Sequence, residues 1–210
     1  MASPLTVYSA TTDNRVESYN ATYATARTGS GLTISTVTNQ SDYGGQTTGY
    51  YLDELLLSFD TSTVPPGATV TAVVLTMYEQ YDATTDTYNV WGYTDVTVGW
   101  GAAVATSDWV AGASLGGASY PLVATCASGV GVKTFTSEAA FPAAINKGGT
   151  TWLIVAGAKL AAGTAPTTEE RGYFYTGDRS PDTEGYRPKL VVTYTTAADF
   201  TGLTVKRYVG

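Results

Sequence analysis

Carboxylates in loops are the residues of this sequence whose type and spacing could support chemistry. The segment 177–185 holds three of them, Asp178, Asp182 and Glu184, within seven residues. Calcium prefers oxygen ligands from loops, so these residues are candidate ligands of a structural calcium ion. Their spacing matches no known calcium loop, and Asx-type turns are the alternative explanation. We expect no other cofactor.

Asp60 raises a similar question, because it follows an apolar run and precedes a loop with two prolines and a glycine. It could be a catalytic acid, a metal ligand or the anchor of a turn. Alternation turns Phe59 inward, which directs the Asp60 side chain away from the core. The backbone N–H groups of residues 61–63 follow directly and can donate to its carboxylate. The pattern therefore predicts a turn anchor.

The absence of histidine restricts the catalytic chemistry that is open to the chain. Ser-His-Asp triads and His-ligated zinc sites need imidazole, and Cys126 lacks an ordinary base. Glycoside hydrolysis needs only two carboxylates, but the sequence does not place any two of them across a groove. We predict that the protein is not an enzyme.

Aromatic side chains in loops could serve as stacking platforms for sugars. Trp100, Trp109 and Tyr43 lie in loop-like segments and are the candidate glycan-binding residues. Burial beneath a loop is the alternative for the two tryptophans. Trp91 and Trp152 lie in apolar runs and are expected in the core.

The composition is that of a β-protein with a surface rich in hydroxyl groups. Of 210 residues, 37 are threonine, 23 are glycine and 16 are tyrosine, and only 14% are charged; threonine and tyrosine favour strands, and glycine favours turns. The net charge is −7 and the 11 basic residues are scattered, so nucleic acid is not expected as a partner. The sequence shows neither a secretion signal nor an apolar run of membrane-spanning length. We therefore expect no membrane partner and synthesis in a cytoplasm.

Short apolar runs separated by turn signals recur along the chain. Alternate residues of 55–59 and of 73–77 each share one face. About ten such runs predict an all-β, two-sheet antiparallel sandwich, most simply a jelly roll, with one or two short helices. The helical candidates are residues 137–149 and 107–112. Residues 1–195 are expected to form one domain, with 196–210 as a C-terminal arm or extra edge strand.

Two motifs resemble the pattern of DNRLRE-type domains, which are jelly-roll modules of microbial surface proteins similar to carbohydrate-binding modules. The family's strand ending in Phe-Asp, its Pro-x-Gly-Ala-x-Val loop and its next strand match residues 59–78. Its closing Arg-Pro-x-Leu-x-Val-x-Tyr strand matches residues 187–194. The family often has a Trp followed by Glu, whereas Trp100 is followed by Gly-Ala-Ala. The resemblance implies a sandwich for adhesion, glycan binding or surface structure, and it assigns no catalytic residue.

These observations predict a non-enzymatic structural protein of a bacteriophage virion, either a capsid decoration protein or a tail or fibre component. Its expected partners are other virion proteins and further copies of itself. Residues Phe200, Lys206, Arg207 and Tyr208 are the candidate contacts of an assembly arm; an edge strand folded back on its own sandwich is the alternative. The alternative function is a carbohydrate-binding module of a secreted microbial surface protein, with a cell-surface glycan as its partner.

Overall fold

The computed structural model describes residues 2–35, 41–45, 49–83, 86–95, 99–100, 103–167, 170–176 and 185–196. Within them the chain forms thirteen strands, which are β1 (Ala2–Tyr8), β2 (Asn14–Asn20), β3 (Thr33–Ser35), β4 (Ser41–Gly45), β5 (Tyr50–Asp60), β6 (Thr69–Asp82), β7 (Thr87–Gly92), β8 (Leu122–Ala127), β9 (Gly131–Thr134), β10 (Thr136–Ser137), β11 (Thr150–Gly157), β12 (Glu170–Phe174) and β13 (Lys189–Thr195). The same residues form two α-helices, α1 (Tyr23–Arg27) and α2 (Ala158–Ala162), and two 3-10 helices, Thr106–Asp108 and Phe141–Ala144.

The strands pair antiparallel in two sheets, which confirms the predicted sandwich. Within the described residues, a six-stranded sheet has the order β1-β13-β6-β12-β4, with β9 also paired to β6. A seven-stranded sheet has the order β10-β8-β7-β11-β5-β2-β3. Strands β1 and β13 pair from Ala2 opposite Thr195 to Tyr8 opposite Lys189, so the six-stranded sheet depends on strands that are far apart in sequence.

The core between the sheets follows the predicted alternation. Leu57 and Phe59 of β5 face Leu75 and Met77 of β6, and all four side chains are buried. Burying a side chain of this size contributes about 1.5–3 kcal/mol relative to exposure. The inward residues of these two strands therefore supply a large part of the packing that joins the sheets.

The seven-stranded sheet is buried on its outer face as well, which alternation alone did not predict. Leu52 and Leu56 of β5 point away from the sheet interface and pack in a second cluster with Trp91 and Ile154. Helices α1 and α2 and the loop 103–121 cover this cluster. The signal was in the sequence, because three consecutive leucines at 55–57 are typical of a strand buried on both faces.

Hydrogen bonds fasten this covering layer together. The Arg27 guanidinium of α1 donates from Nε to the Leu160 carbonyl at 2.6 Å, and the Tyr23 hydroxyl donates to the Lys159 carbonyl at 2.8 Å. The Gly112 N–H donates to the Arg27 carbonyl at 3.1 Å. These bonds satisfy carbonyls that short helices leave open, and they tie both helices to the loop.

The predicted helical segments are short. Residues 137–149 contain the 3-10 helix Phe141–Ala144, with Pro142 in its first turn, and residues 107–112 overlap the 3-10 helix Thr106–Asp108. Helices α1 and α2 were not predicted, because five residues are too few to show a helical period. Gly163 ends α2 with a φ of 73°, a left-handed conformation that glycine adopts without steric cost.

Asp60 anchors a turn, as predicted. The Ser62 N–H donates to Asp60 Oδ1 at 3.0 Å, and Asp60 is exposed while Phe59 is buried. Side-chain and backbone hydrogen bonds from Ser62 lower the pKa of Asp60 below its ordinary value. The carboxylate therefore stabilises the loop between β5 and β6.

We expect Asp60→Ala to lower the free energy of unfolding by about 1 kcal/mol, like the loss of a helix cap. Because the pKa is depressed in the folded state, this contribution is present above the unfolded pKa and is lost as pH falls. Urea denaturation at pH 7 measures the change. Asp60→Asn keeps an acceptor and is the matched control; equal losses in both variants would contradict the turn role.

Candidate functional site

The structure corrects the interpretation of Trp100 as a sugar platform. Its side chain is only 2% exposed, and its ring lies 4.7 Å from Trp152 and 6.1 Å from Tyr93 between centroids, edge to face in both cases. Neither ring face is open to a ligand, because the indole belongs to the outer cluster of the seven-stranded sheet. Trp91 is buried in the same cluster, as predicted.

Trp109 is half-buried and packs beside the turn that follows α1. A Cβ at Gly29 would lie 2.7 Å from its Cδ1 atom, and Gly29 has a φ of 89°. The indole therefore requires glycine at this position, and its surroundings are those of a packing residue. Tyr43 lies in β4 with its backbone opposite Gly172, and its side chain is outside the described part of the structure.

The remaining predicted site residues lie outside the described residues, and these are Asp178, Asp182, Glu184, Phe200, Lys206, Arg207 and Tyr208. Calcium binding and the assembly arm therefore stay predictions. Among the described residues, no group of three or more His, Cys, Asp or Glu side chains could hold a metal ion. No helix in that part of the chain is long and apolar enough to cross a membrane.

A small surface groove lies where β7 ends and β8 begins. It has a volume of about 190 Å³ and is lined by Tyr93, Thr94, Asp95, Ser119 and Tyr120. Its size is below the roughly 300–1,000 Å³ of sites for drug-sized ligands. Two aromatic rings, two hydroxyls and one carboxylate thus converge on a space suited to a single small ring.

The walls of this groove are fixed by backbone hydrogen bonds that continue the β7–β8 pairing. The Thr94 N–H donates to the Ser119 carbonyl at 3.1 Å, and the Gly92 N–H donates to the Pro121 carbonyl at 3.1 Å. The Thr94 hydroxyl donates to the same Ser119 carbonyl at 3.3 Å. The groove is therefore preformed by the sheet.

Packed aromatic rings support the floor of the groove. The Tyr93 and Tyr120 rings meet edge to face at 5.1 Å, and Tyr93 in turn rests on Trp100. Tyr93 is buried, whereas Tyr120 is half-buried. Among the described residues of the groove, Tyr93 is the one whose ring Trp100 contacts and positions.

Glu54 is a buried carboxyl near this region that sequence reasoning missed. The Val110 N–H donates to its Oε2 at 2.9 Å, and among the described residues Oε1 has no hydrogen-bond partner. Desolvation raises the pKa of Glu54 well above its ordinary value. The hydrogen bond from Val110 joins the loop 103–121 to β5. Because the Glu54 side chain is fully buried, it cannot contact a polymer substrate.

Two further carboxyls with raised pKa values also lie inside the fold. Burial raises the pKa of Glu79 to about 7, and its Oε1 accepts a hydrogen bond from the Tyr88 hydroxyl at 2.5 Å. A Cβ at Gly172 would lie 1.8 Å from that hydroxyl, so β12 passes directly over the pair. Burial likewise raises the pKa of Asp13 to about 7. Raised pKa values often mark catalytic acids, but none of these groups borders the groove.

The outer face of the six-stranded sheet is very different from that of its partner sheet. We call it the tyrosine face and define it by Tyr8, Val74, Tyr78, Tyr81, Val132, Tyr173, Tyr175 and Tyr186. Tyr8 is 45% exposed and Tyr81 is 46% exposed, and Val74 and Val132 are exposed beside them. The pairing of Tyr78 with Val132 and of Tyr81 with Tyr173 places these side chains on one side of the sheet.

Ring contacts organise the tyrosine face. Tyr81 and Tyr173 lie 5.0 Å apart between centroids, and Tyr186 lies 4.1 Å from Tyr78 and 5.2 Å from Tyr175. Such cross-strand aromatic neighbours restrict one another's rotamers. The face is therefore an ordered aromatic surface, in which Tyr8 and Tyr81 are the most exposed rings and Tyr175 is buried beneath its neighbours.

Comparisons with known proteins leave the family open. No family model matches the chain, and no curated protein matches it. The resemblance to DNRLRE-type domains accordingly stays a prediction that rests on residues 59–78 and 187–194.

Proposed function

We propose that this protein is a non-enzymatic structural component of a bacteriophage virion, which binds its neighbours in the particle through the tyrosine face. The observation that supports this proposal is the contrast between the two sheets. The outer face of the seven-stranded sheet is covered by helices α1 and α2 and by a loop of the same chain. The six-stranded sheet leaves tyrosines and valines exposed on its outer face.

The chemistry of the tyrosine face suits protein contacts. Tyrosine is enriched at protein interfaces, because it buries a large ring and keeps a hydroxyl for hydrogen bonds. Rings that already contact one another, such as Tyr78 and Tyr186, lose little further freedom on binding. Exposed apolar surface of this kind marks interaction sites on otherwise polar proteins.

The electrostatics are compatible with dense packing in a particle. Only 14% of the residues are charged, and the net charge is −7. Charged groups are costly to bury at the centre of an interface. The tyrosines and valines of this face are uncharged, and the charged neighbours Lys189, opposite Tyr8, and Arg187, 5.6 Å over the Tyr8 ring, lie at its β1–β13 side. The net negative charge keeps the free protein soluble before assembly.

The test is incorporation into particles. Phage particles would be purified from cells carrying wild-type protein, Tyr81→Ser or Tyr51→Ser, and copies per particle counted by quantitative mass spectrometry. Tyr51 is the matched control, since it is 36% exposed and lies on the seven-stranded sheet. We expect Tyr81→Ser to reduce the copy number strongly and Tyr51→Ser to leave it unchanged. Absence of the wild-type chain from particles would overturn the virion role, and equal incorporation of both variants would overturn the role of this face.

A further inference from the structure

We propose that the free edge of β1 (Ala2–Tyr8) is a pairing site for β1 of a second copy of this chain, and that Pro4 keeps this edge closed. Within the described residues, β1 forms one end of the six-stranded sheet, and β13 is the strand that pairs with it. An edge strand can bind another strand through its unpaired backbone groups. The site is independent of the tyrosine face, because it uses the backbone at a sheet edge rather than side chains on the sheet surface.

The hydrogen bonds to β13 identify the backbone groups of β1 that face the free edge. The Ser9 N–H donates to the Pro188 carbonyl at 2.9 Å, directly beyond the pairing of Tyr8 with Lys189. In an antiparallel pair, residues that exchange hydrogen bonds alternate with residues that do not. The odd-numbered residues of β1 therefore bond to β13, and the even-numbered residues direct their N–H and carbonyl groups to the free edge. These even-numbered residues are Ala2, Pro4, Thr6 and Tyr8.

Pro4 stands at one of the free-edge positions. Its ring replaces the N–H group, so the residue cannot donate to an incoming strand, and the ring occupies the space that a partner carbonyl would approach. Proline is tolerated in sheets at such positions. Other edge strands prevent pairing with charged side chains or bulges, but none of the seven residues of β1 is charged, and its register with β13 is continuous. Pro4 is therefore the residue of β1 that closes the edge.

A second copy of β1 fits this edge over its full length. Two antiparallel β1 strands related by a twofold axis through Leu5 would place Ala2 opposite Tyr8 and Pro4 opposite Thr6. Both pairs consist of free-edge residues, so they would exchange hydrogen bonds. With proline in place, the Thr6 carbonyl of each copy lacks its donor, on both sides of the axis. Closure of the edge thus prevents copies at high local concentration from joining into continuous sheets.

The experiment measures self-association of the full chain by sedimentation velocity over a range of concentrations. We expect Pro4→Thr to associate about tenfold or more tightly than wild type, because it restores two hydrogen bonds and removes two obstructing rings. Ser3→Thr is the matched control, since Ser3 is the neighbouring residue but its backbone groups face β13. The double variant Pro4→Thr with Thr6→Pro moves the proline to another free-edge position and should associate like wild type.

Amide hydrogen exchange at Thr6 shows where the copies meet. We expect the Thr6 N–H to exchange freely in wild type and to be protected in associated Pro4→Thr, whereas the Leu5 N–H, which faces β13, is protected in both. Thermal melting identifies any unfolded variant. Pro4→Ala, which also restores the N–H, replaces Pro4→Thr if that variant does not fold, and the comparison with Ser3→Thr decides if the double variant does not fold.

Three results would overturn the proposal. One is a Pro4→Thr protein that associates no more tightly than wild type or Ser3→Thr. Another is association of Pro4→Thr that leaves the Thr6 N–H unprotected. The third is protection of the Thr6 N–H in wild type, because another segment, such as residues 196–210, would then already pair with this edge.

Discussion

Trp100→Ala is expected to lower the free energy of unfolding by about 3–5 kcal/mol, the usual cost of removing a large buried aromatic side chain. Trp100 is 2% exposed, and its ring contacts Trp152 and Tyr93. Alanine would leave a cavity in the cluster between the seven-stranded sheet and the loop 103–121. The loss arises from packing, because the indole has no open face for a ligand.

Chemical denaturation monitored by circular dichroism measures this change. Tyr51→Ala is the control, since Tyr51 is 36% exposed and its truncation is expected to cost far less. Trp100→Phe keeps part of the ring contacts and should give an intermediate loss. A Trp100→Ala protein of wild-type stability would contradict the burial of this residue and restore it as a candidate ligand contact.

The stability of the protein is expected to fall as pH rises from about 4 to about 8, on account of Asp13 and Glu79. Burial raises the folded-state pKa of both carboxyls to about 7 from 3.8 and 4.5. A raised pKa means that the folded state favours the protonated form. Its stabilising effect is complete below the unfolded pKa and is lost as pH rises through the folded pKa. For Asp13 alone the change is on the order of 4 kcal/mol.

Asp13 provides a clean variant for this test. Its Oδ1 accepts hydrogen bonds from the Ser58 N–H at 2.8 Å and from the Ser58 hydroxyl at 2.7 Å. The charge of Arg187 lowers the pKa of Asp13, but desolvation outweighs it. Asp13→Asn keeps an oxygen that accepts both hydrogen bonds and cannot ionise.

The measurement is the denaturation midpoint of wild type and Asp13→Asn at several pH values between 4 and 8. We expect the wild-type midpoint to decrease across this range and the Asp13→Asn midpoint to decrease by a smaller amount, because the raised pKa of Glu79 still acts in the variant. Asp60 has a lowered pKa, so its contribution changes below this pH range, and Asp60→Asn is the control that should leave the shape of the profile between pH 4 and 8 unchanged. Parallel pH profiles for wild type and Asp13→Asn would show that Asp13 carries none of the effect.

The sequence allowed prediction of the elements that obey local rules. Alternation at 55–59 and 73–77 located the inward faces of β5 and β6, and the order Phe-Asp followed by a Pro-Pro-Gly loop identified Asp60 as a turn anchor. In these cases the pattern of side chains determines the structure within a few residues.

The features that depend on distant segments could not be predicted from local patterns. Trp100 lies in a loop-like segment, and only the packing of 103–121 over the seven-stranded sheet makes it a core residue. Glu54 is buried, and its carboxylate accepts a hydrogen bond from the Val110 N–H, which lies far along the chain. The groove is lined by residues 93–95 and 119–120, and no pattern in the sequence indicates that these two segments are neighbours.

The tyrosine face is another feature that could not be predicted from the sequence. Sequence composition revealed many tyrosines, but it gave no indication that several of them share one side of one sheet. That placement follows from the register of β6 with β9 and β12, including the bulge beside Phe174. The function proposed here therefore depends on topology more than on any single motif.

We expect the tyrosine face to be buried against neighbouring proteins in an assembled virion. Tyrosine-specific chemical modification, read by mass spectrometry in the free protein and in purified particles, tests it most directly. We predict that Tyr8 and Tyr81 react in the free protein and are protected in the particle, while Tyr19 and Tyr51 of the seven-stranded sheet react equally in both. Equal reactivity of Tyr81 in the two states, or protection confined to Tyr19 and Tyr51, would contradict the claim.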